Sequence, residues 1–156
     1  MSPFVLPEAP HLRAYFEMLF GEGVHVRASG RESSEASWCG VFRDDAGIAV
    51  AVCLCDTEFG AYAGAALSML MPNDARAAVR NGALSEAMRA NLYEIMNILS
   101  SLLMNDHTPH LRLREMSTPD AVDAAVQDIA TAPSRRSAFR IDIPRYGSGR
   151  LALALK

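Results

Sequence analysis

The sequence has almost no lysine and no dense basic segment, and this shortage argues against a nucleic-acid partner. Lys156 is the single lysine among 15 basic residues, and the 156-residue chain carries a net charge of −3. Proteins that bind nucleic acid concentrate Lys and Arg on one surface to neutralise phosphates. Beyond the pair Arg135 and Arg136, the chain has no such concentration. We therefore expect no nucleic-acid partner.

Long apolar runs are also missing. A helix that crosses a bilayer needs about 20 consecutive apolar residues, and no run in this sequence reaches that length. The first ten residues, Met1 to Pro10, lack the basic and apolar blocks of a secretory signal. The sequence therefore predicts a cytoplasmic protein with no membrane partner.

Cysteine is scarce as well. The three cysteines, Cys39, Cys53 and Cys55, are odd in number and lie in apolar, strand-like segments. Free cysteines are among the residues most often buried. We predict three buried thiols and no disulfide framework.

A short polar segment after the longest predicted helix contains three side chains able to bind a metal. Asp106, His107 and His110 lie close together, with Pro109 among them. The proline and the preceding helix end favour a loop whose polar groups cap backbone carbonyls. No further ligand pattern accompanies them, so we predict no metal site.

The composition is that of a globular protein. Half of the residues are hydrophobic and 21% are charged, which is far from the signature of disorder. A domain of about 150 residues buries roughly 68–70% of the surface that its unfolded chain exposes. We therefore predict one domain over residues 1–156.

The spacing of apolar residues predicts both helices and strands, in a layout that repeats. Helices are predicted at 12–20, 60–71, 74–79 (with Asp74 as cap), 85–104 and 120–129, and strands at 24–28, 38–42, 48–54, 110–116, 138–143 and 151–155. Turns at 43–47 and 144–149 contain glycine and predict two hairpins. This pattern indicates an α/β protein of the α+β type, with two similar helix-plus-strands halves.

The predicted helix at 85–104 is the most informative segment. At 100° per residue, its apolar side chains fall within a sector of roughly 120°, which is typical of a helix that faces the core. These residues are Met88, Leu92, Ile95, Met96, Leu99, Leu102 and Leu103. On the opposite face, Ala90, Glu94, Asn97 and Ser101 recur at spacings of four, three and four. Glu94 and Asn97 are therefore expected to stand side by side in solvent.

Polar residues on an exposed helix face are ordinary, and a Glu and an Asn three positions apart need no functional explanation. The segment Glu94-Ile95-Met96-Asn97, with Pro119 further along, nevertheless resembles the motif helix of the CheC/CheX-like phosphatases. That family has Asp or Ser four positions before the Glu, where this chain has Ala90, and its proline lies one residue further away. Some members carry a second site on the first helix, whereas here Glu17 is followed three positions later by Phe20.

The resemblance implies a CheC-like fold, with one mixed sheet and long helices packed on one face. It also implies a substrate, the aspartyl phosphate of a CheY-like receiver domain. Asn97 would orient the attacking water, and Glu94 would pair with a lysine of the receiver. Ala90, Tyr93 and Ser101 would contact the bound partner. The protein would need no cofactor of its own, because the Mg²⁺ belongs to the response regulator.

Two alternatives stay open at this point. A protein of the same fold could act as a catalytically inactive adaptor in chemotaxis or two-component signalling, an interpretation that Ala90 favours. An unrelated α/β domain could also carry the helix pattern by coincidence. We further expect a homodimer, because the apolar segment at 151–155 would be prone to pair with a second copy if it lay at a sheet edge.

Overall fold

A computed structural model describes residues 3–29 and 36–156 of the chain. In these residues the helices are α1 (Ala9–Phe20), α2 (Thr57–Leu67), α3 (Pro72–Asn81), α4 (Glu86–Leu103) and α5 (Ala124–Thr131), with a short 3₁₀ turn at Pro119–Ala121. The strands are β1 (His25–Ala28), β2 (Trp38–Asp44), β3 (Ala49–Cys55), β4 (Leu111–Ser117), β5 (Arg135–Ile143) and β6 (Gly147–Leu155). Most predicted elements are present, with shifted ends.

The strands form one sheet in the order β1-β5-β6-β3-β2-β4. Each half of the chain supplies one single strand and one hairpin, and each single strand pairs with the hairpin of the other half. Exchanging β1 with β4, β2 with β5 and β3 with β6 therefore gives the same strand order, read from the opposite edge of the sheet. The predicted α+β class with two similar halves is confirmed. The sheet itself is antiparallel at every described strand pair and not mixed as expected.

The last strand occupies an inner position. β6 pairs with β5 on one side and with β3 on the other, and the edges of the sheet are β1 and β4. The expectation that residues 151–155 could lie at an edge is therefore wrong. The reason is that β6 runs antiparallel to strands from both halves and is apolar on both faces. A homodimer stays a prediction, without this argument for it.

The main core lies between the sheet and the helices α1, α2 and α4. Large buried side chains include Phe16 of α1, Phe59 of α2 and Leu92 of α4. The other face of the sheet is covered by α5, whose Val126 and Ile129 pack on Val52 and Ala154, among others. Long helices on one face are thus confirmed, with one shorter helix on the opposite face. No helix among the described residues is both long and apolar enough to cross a membrane.

The cysteines are buried in the sheet. Cys39 faces the core beneath α5, whereas Cys53 and Cys55 face the main core. All three are free thiols, as predicted. Burial raises the pKa of Cys39 to about 11, so this thiol stays protonated at neutral pH. These residues contribute to packing and not to reactivity.

Two helix ends differ from the prediction for a local reason. α2 begins earlier than expected, because the Asp56 carboxylate accepts a hydrogen bond from the Phe59 N–H (2.8 Å) and caps the helix. Pro72 does not end this helix; it occupies the first turn of α3, a position that suits proline. Asp74 consequently lies within the first turn of α3 and is not its cap.

The helix predicted at 120–129 is also shorter than expected. Pro119–Ala121 forms a 3₁₀ turn, and α5 starts only at Ala124. Its cap is Asp123, whose side chain accepts from the Val126 N–H at 2.9 Å. This second start signal, three residues into the predicted helix, divides the segment in two.

Helix α4 is held against α2 by a close approach of their backbones. A Cβ on Gly64 would lie 2.7 Å from the Met88 carbonyl oxygen, so only glycine permits this crossing. Nearby, the Asn91 amide donates to the Gly64 carbonyl oxygen and to the Ser68 hydroxyl, both at 2.8 Å. These contacts fix the position of α4, which carries the candidate site.

Candidate functional site

Helix α4 begins and ends as its sequence predicts. The Ser85 hydroxyl accepts a hydrogen bond from the Met88 N–H (3.2 Å) and caps the first turn. The helix ends before Met104, which has an extended backbone. Its predicted apolar stripe is buried, except that Leu102 is half-buried. The remaining face is therefore the part of α4 available for function.

Glu94 projects from α4 into solvent. It is exposed, and its carboxylate makes no ion pair or hydrogen bond with the described residues. Near it, the hydroxyl of Tyr15 donates to the Ile95 carbonyl oxygen at 3.0 Å. Burial raises the pKa of Tyr15, and the nearby Glu94 carboxylate raises it further. Tyr15 therefore stays neutral, and it anchors α1 to the helix that presents Glu94.

Asn97 lies one turn further on and is half-buried. Its Oδ1 accepts a hydrogen bond from the Leu113 N–H of β4 at 3.2 Å. This bond orients the carboxamide, because a backbone N–H can donate only to the oxygen. The second lone pair of Oδ1 and both Nδ2 donors form no hydrogen bond with the described residues. The Asn97 carboxamide is thus fixed in orientation, and its remaining acceptor and donor positions are open to a ligand.

Tyr93 completes the same contact with β4. Its hydroxyl donates to the Leu113 carbonyl oxygen at 3.2 Å. Since β4 is an edge strand, the outward N–H and C=O of Leu113 have no neighbouring strand, and the two α4 side chains take that place. Tyr93 and Asn97 therefore cap the edge of the sheet. Sequence reasoning missed this role, because the edge position of β4 follows from pairing with a distant strand.

A groove runs between α4 and β4 and leads from solvent to the Asn97 carboxamide. Its walls include Tyr93, Ser100, Met104 and His110. Ser100 is the buried polar side chain among the described residues, and its hydroxyl donates to the Asn97 carbonyl oxygen at 2.6 Å. A water molecule or a side chain of a partner can therefore reach the carboxamide from this side.

The other two predicted contact residues are on the surface of α4. Ala90 and Ser101 are both exposed. Ser101 donates to the carbonyl oxygen of Ile98 in its own helix at 2.8 Å, and Ala90 has no polar group to offer. The structure thus brings Ala90, Glu94 and Ser101 to the open surface, whereas Asn97 and Tyr93 turn toward β4.

Helix α1 is the counterpart of α4 in the other half of the chain. Its Glu17 forms an ion pair with Arg13, with 2.8 Å between Arg13 Nε and Glu17 Oε1. Phe20, three positions later, packs against the core. No Glu and Asn pair faces solvent on this helix. The two halves therefore share their layout without sharing the polar pair of α4.

The segment 105–110 after α4 is a loop whose polar groups bond to one another. Asn105 Oδ1 accepts from the His107 N–H at 2.8 Å, and the Thr108 hydroxyl donates to the Asn105 carbonyl oxygen at 3.1 Å. His110 Nδ1 lies 3.8 Å from an Asp45 carboxylate oxygen. These contacts shape the loop beside the groove, as the loop interpretation predicts.

Comparison with known proteins identifies the fold. No protein-family model matches the sequence, and no curated protein matches it. Among solved structures, FliM in a FliM–SpeE complex from H. pylori superposes with a TM-score of 0.55 at 11% identity, covering 94% of this chain and 80% of that one. The FliM middle domain from H. pylori gives a TM-score of 0.53 at 10% identity, covering 94% and 84%.

A further similar structure is a CheX–CheY–BeF₃–Mg²⁺ complex from Borrelia burgdorferi. Its TM-score is 0.45 at 11% identity, with 90% of this chain and 88% of that chain covered. The fold of this protein is the one that FliM middle domains share with CheC- and CheX-like proteins. The predicted resemblance is confirmed at the level of the fold.

Proposed function

We propose that the protein binds the receiver domain of a CheY-like response regulator and hydrolyses its aspartyl phosphate. The observation that supports this most directly is the arrangement on α4. An exposed Glu94, with no ion pair among the described residues, stands one turn from an Asn97 amide that is held in one orientation and open to a groove. Solved proteins of this fold include FliM in complex with SpeE and with FliG, which supports a protein as the ligand.

The proposed reaction requires few catalytic groups from the protein. Hydrolysis of an acyl phosphate requires a water molecule in line with the phosphorus atom and a balance for the developing charge, and it needs no protein nucleophile. The free lone pair of Asn97 Oδ1 would accept a hydrogen bond from that water, and Nδ2 would donate one to a phosphoryl oxygen. The amide is neutral, so it does not repel the phosphoryl group. The hydrogen bond from Leu113 reduces the freedom that Asn97 would lose on binding.

Glu94 would have a different task. A solvent-exposed carboxylate without a partner among the described residues can pair with a cation of the docked protein. A lysine near the phosphorylated aspartate is the partner that the family resemblance implies. That pairing would align the water held by Asn97 with the phosphorus atom. The Mg²⁺ would be part of the phosphorylated partner.

A second candidate is binding without catalysis. The observation that favours it is the contact between Asn97 and Leu113, because this hydrogen bond gives the asparagine a structural reason to be present. Ala90 supplies no polar contact at the position where the family has Asp or Ser. In this case the α4 surface would hold a partner without accelerating the loss of phosphate.

The two functions are separated by following phosphate release from a receiver domain phosphorylated with a small-molecule phosphodonor in the presence of Mg²⁺. Wild-type protein is compared with Asn97→Ala and Glu94→Gln. Glu86→Gln is the matched control, since Glu86 is an exposed glutamate in the first turn of the same helix. Binding of each variant to the receiver is measured in parallel.

We expect the wild-type protein to accelerate phosphate release and Asn97→Ala to lose most of that effect while it still binds. Glu94→Gln should weaken binding and release together, and Glu86→Gln should behave as wild type. Release at the spontaneous rate despite normal binding would support the adaptor function. No binding at all would overturn both functions.

A further inference from the structure

Three arginines stand in a row across neighbouring strands at the end of the sheet that contains β1. Arg27 of β1 lies opposite Arg140 of β5, and Arg140 lies opposite Arg150 of β6. Directly opposed residues of antiparallel strands have Cα atoms about 4.5–5.5 Å apart, so the row spans roughly 10 Å. Like charges placed directly opposite one another destabilise a sheet. A row of three therefore calls for a functional explanation.

The row lies on the face of the sheet that the long helices do not cover. Phe139 and Ile141, the neighbours of Arg140 along β5, point into the main core, so Arg140 points to the opposite face. Ala152, which has the same alternation along β6 as Arg150, packs in the cluster beneath α5. Helix α5 packs mainly against β3 and β6. We call the row of Arg27, Arg140 and Arg150 the arginine face.

Two arginines of the row form no ion pair with the described residues. Arg27 and Arg140 are exposed, and neither forms a salt bridge with any acid in the part of the chain that the structure describes. Asp142, the nearest acid along β5, accepts a hydrogen bond from the Ser148 hydroxyl. Arg136 adds a further exposed cation two positions beyond Ala138 on the same strand. Arg27 and Arg140 are therefore the two charges of this face that no acid among the described residues pairs with.

The row ends at an open strand edge. The Ser29 N–H donates to the carbonyl oxygen of Ala138, directly opposite, at 2.9 Å. Hydrogen-bonded pairs alternate along antiparallel strands, so the backbone groups of Arg27 point toward β5 and those of Val26 and Ala28 point away. Nothing in the described residues bonds to the outward groups of Val26 or Ala28. An extended segment can therefore add to β1 and place alternate side chains on the arginine face.

The charges and dimensions favour an acidic protein segment over nucleic acid. The row is about 10 Å wide, which suits a few carboxylates more than a long phosphate backbone. The described residues offer no aromatic side chain on the exposed part of this face for stacking with bases, which single-strand binding uses.

We propose that the arginine face and the edge of β1 together bind an extended acidic segment of a partner protein. The segment adds as a strand to β1 and places alternate carboxylates beside Arg27, with Arg140 one strand further in. This site is on the opposite face of the sheet from α4. It is therefore independent of the phosphatase proposed above, and the two can be tested separately.

The test uses a fluorescein-labelled peptide of alternating glutamate and valine, with an alternating glutamine and valine peptide as its neutral match. Binding to the full chain is followed by fluorescence anisotropy at low and at raised salt. The variants are Arg27→Gln, Arg140→Gln and both together. Arg80→Gln is the control, because Arg80 is an exposed arginine on α3, away from the sheet.

We expect the acidic peptide to bind and the neutral one to fail, with binding weakened by salt. Each single variant should weaken binding about two- to fivefold, as for exposed ion pairs, and the double variant on the order of tenfold. An acidic peptide with alternate N-methylated amides should bind poorly, since it cannot pair with β1.

Four results would overturn the proposal. The first is equal binding of the acidic and neutral peptides. The second is an equal effect of Arg80→Gln, which would show that binding depends on the net charge of the protein and not on the arginine face. The third is undiminished binding of the N-methylated peptide, which would exclude strand addition. Tighter binding by a single-stranded oligonucleotide, lost in the same arginine variants, would replace the acidic segment by nucleic acid.

Discussion

Asn97 has one contact that stabilises the fold and other polar groups that are free for chemistry, and two substitutions separate these roles. Asn97→Ala removes the acceptor of the Leu113 N–H as well as the amide. Asn97→Asp keeps an acceptor oxygen at the same place but replaces the neutral amide with a carboxylate. A carboxylate there would repel the phosphoryl group of the proposed substrate.

The expected loss of stability follows from the geometry of that bond. Leaving a buried donor without a partner costs about 1–3 kcal/mol. The groove beside Asn97 admits water, which can solvate the freed Leu113 N–H, so we expect the lower end, about 1 kcal/mol, for Asn97→Ala. For a domain of this size that corresponds to a fall in Tm of about 2–4 °C.

Asn97→Asp should therefore unfold close to the wild-type temperature and yet fail to accelerate phosphate release. Thermal unfolding followed by circular dichroism, together with the phosphate-release assay, measures both effects. Glu86→Gln is the control, because Glu86 is an exposed residue in the first turn of the same helix. Equal destabilisation by Asn97→Asp and Asn97→Ala would refute the acceptor role, and full phosphatase activity of Asn97→Asp would refute the role of the neutral amide.

Three further outcomes are expected. Tyr93→Phe removes the donor to the Leu113 carbonyl oxygen and should lower the free energy of unfolding by about 0.5–1.5 kcal/mol in a denaturant titration, whereas no change would show that water replaces the hydroxyl fully. Gly64→Ala places a Cβ 2.7 Å from the Met88 carbonyl oxygen. Since overpacking costs about 1–3 kcal/mol, the Tm of this variant should fall, and its phosphate release at the α4 site should be weaker. Burial raises the pKa of the Asp56 carboxyl from 3.8. The folded protein therefore binds this proton more tightly than the unfolded chain does. The stability that the protonated group contributes is present below pH about 4 and is lost as pH rises through the folded pKa. Denaturant midpoints across this range should fall more steeply with rising pH for the wild type than for Asp56→Asn, and parallel curves would contradict the assigned shift.

The predictions that succeeded depend on local periodicity. Helix α4 was predicted to within a residue at each end, because a serine cap precedes a regular apolar stripe and both signals are local. The hairpin of β2 and β3 was likewise predicted from its turn. The buried state of Cys53 followed from its apolar neighbours.

The failures concern long-range pairing. The inner position of β6 depends on its simultaneous pairing with β3 and β5, and its apolar sequence is equally compatible with an edge. The inward turn of Asn97 has the same origin, since a helical wheel places it with Glu94 on the open face. Only the position of β4 beside α4 reveals that Leu113 binds the amide.

The exchange of single strands between the two halves has a consequence for biosynthesis. β1 emerges from the ribosome early, but its partner β5 is near the other end of the chain, where Ala28 lies opposite Phe139. Neither half can assemble its share of the sheet alone, and such distant contacts slow folding. The nascent chain is therefore expected to reach its native state only after synthesis of the final hairpin, with β1 unpaired until then.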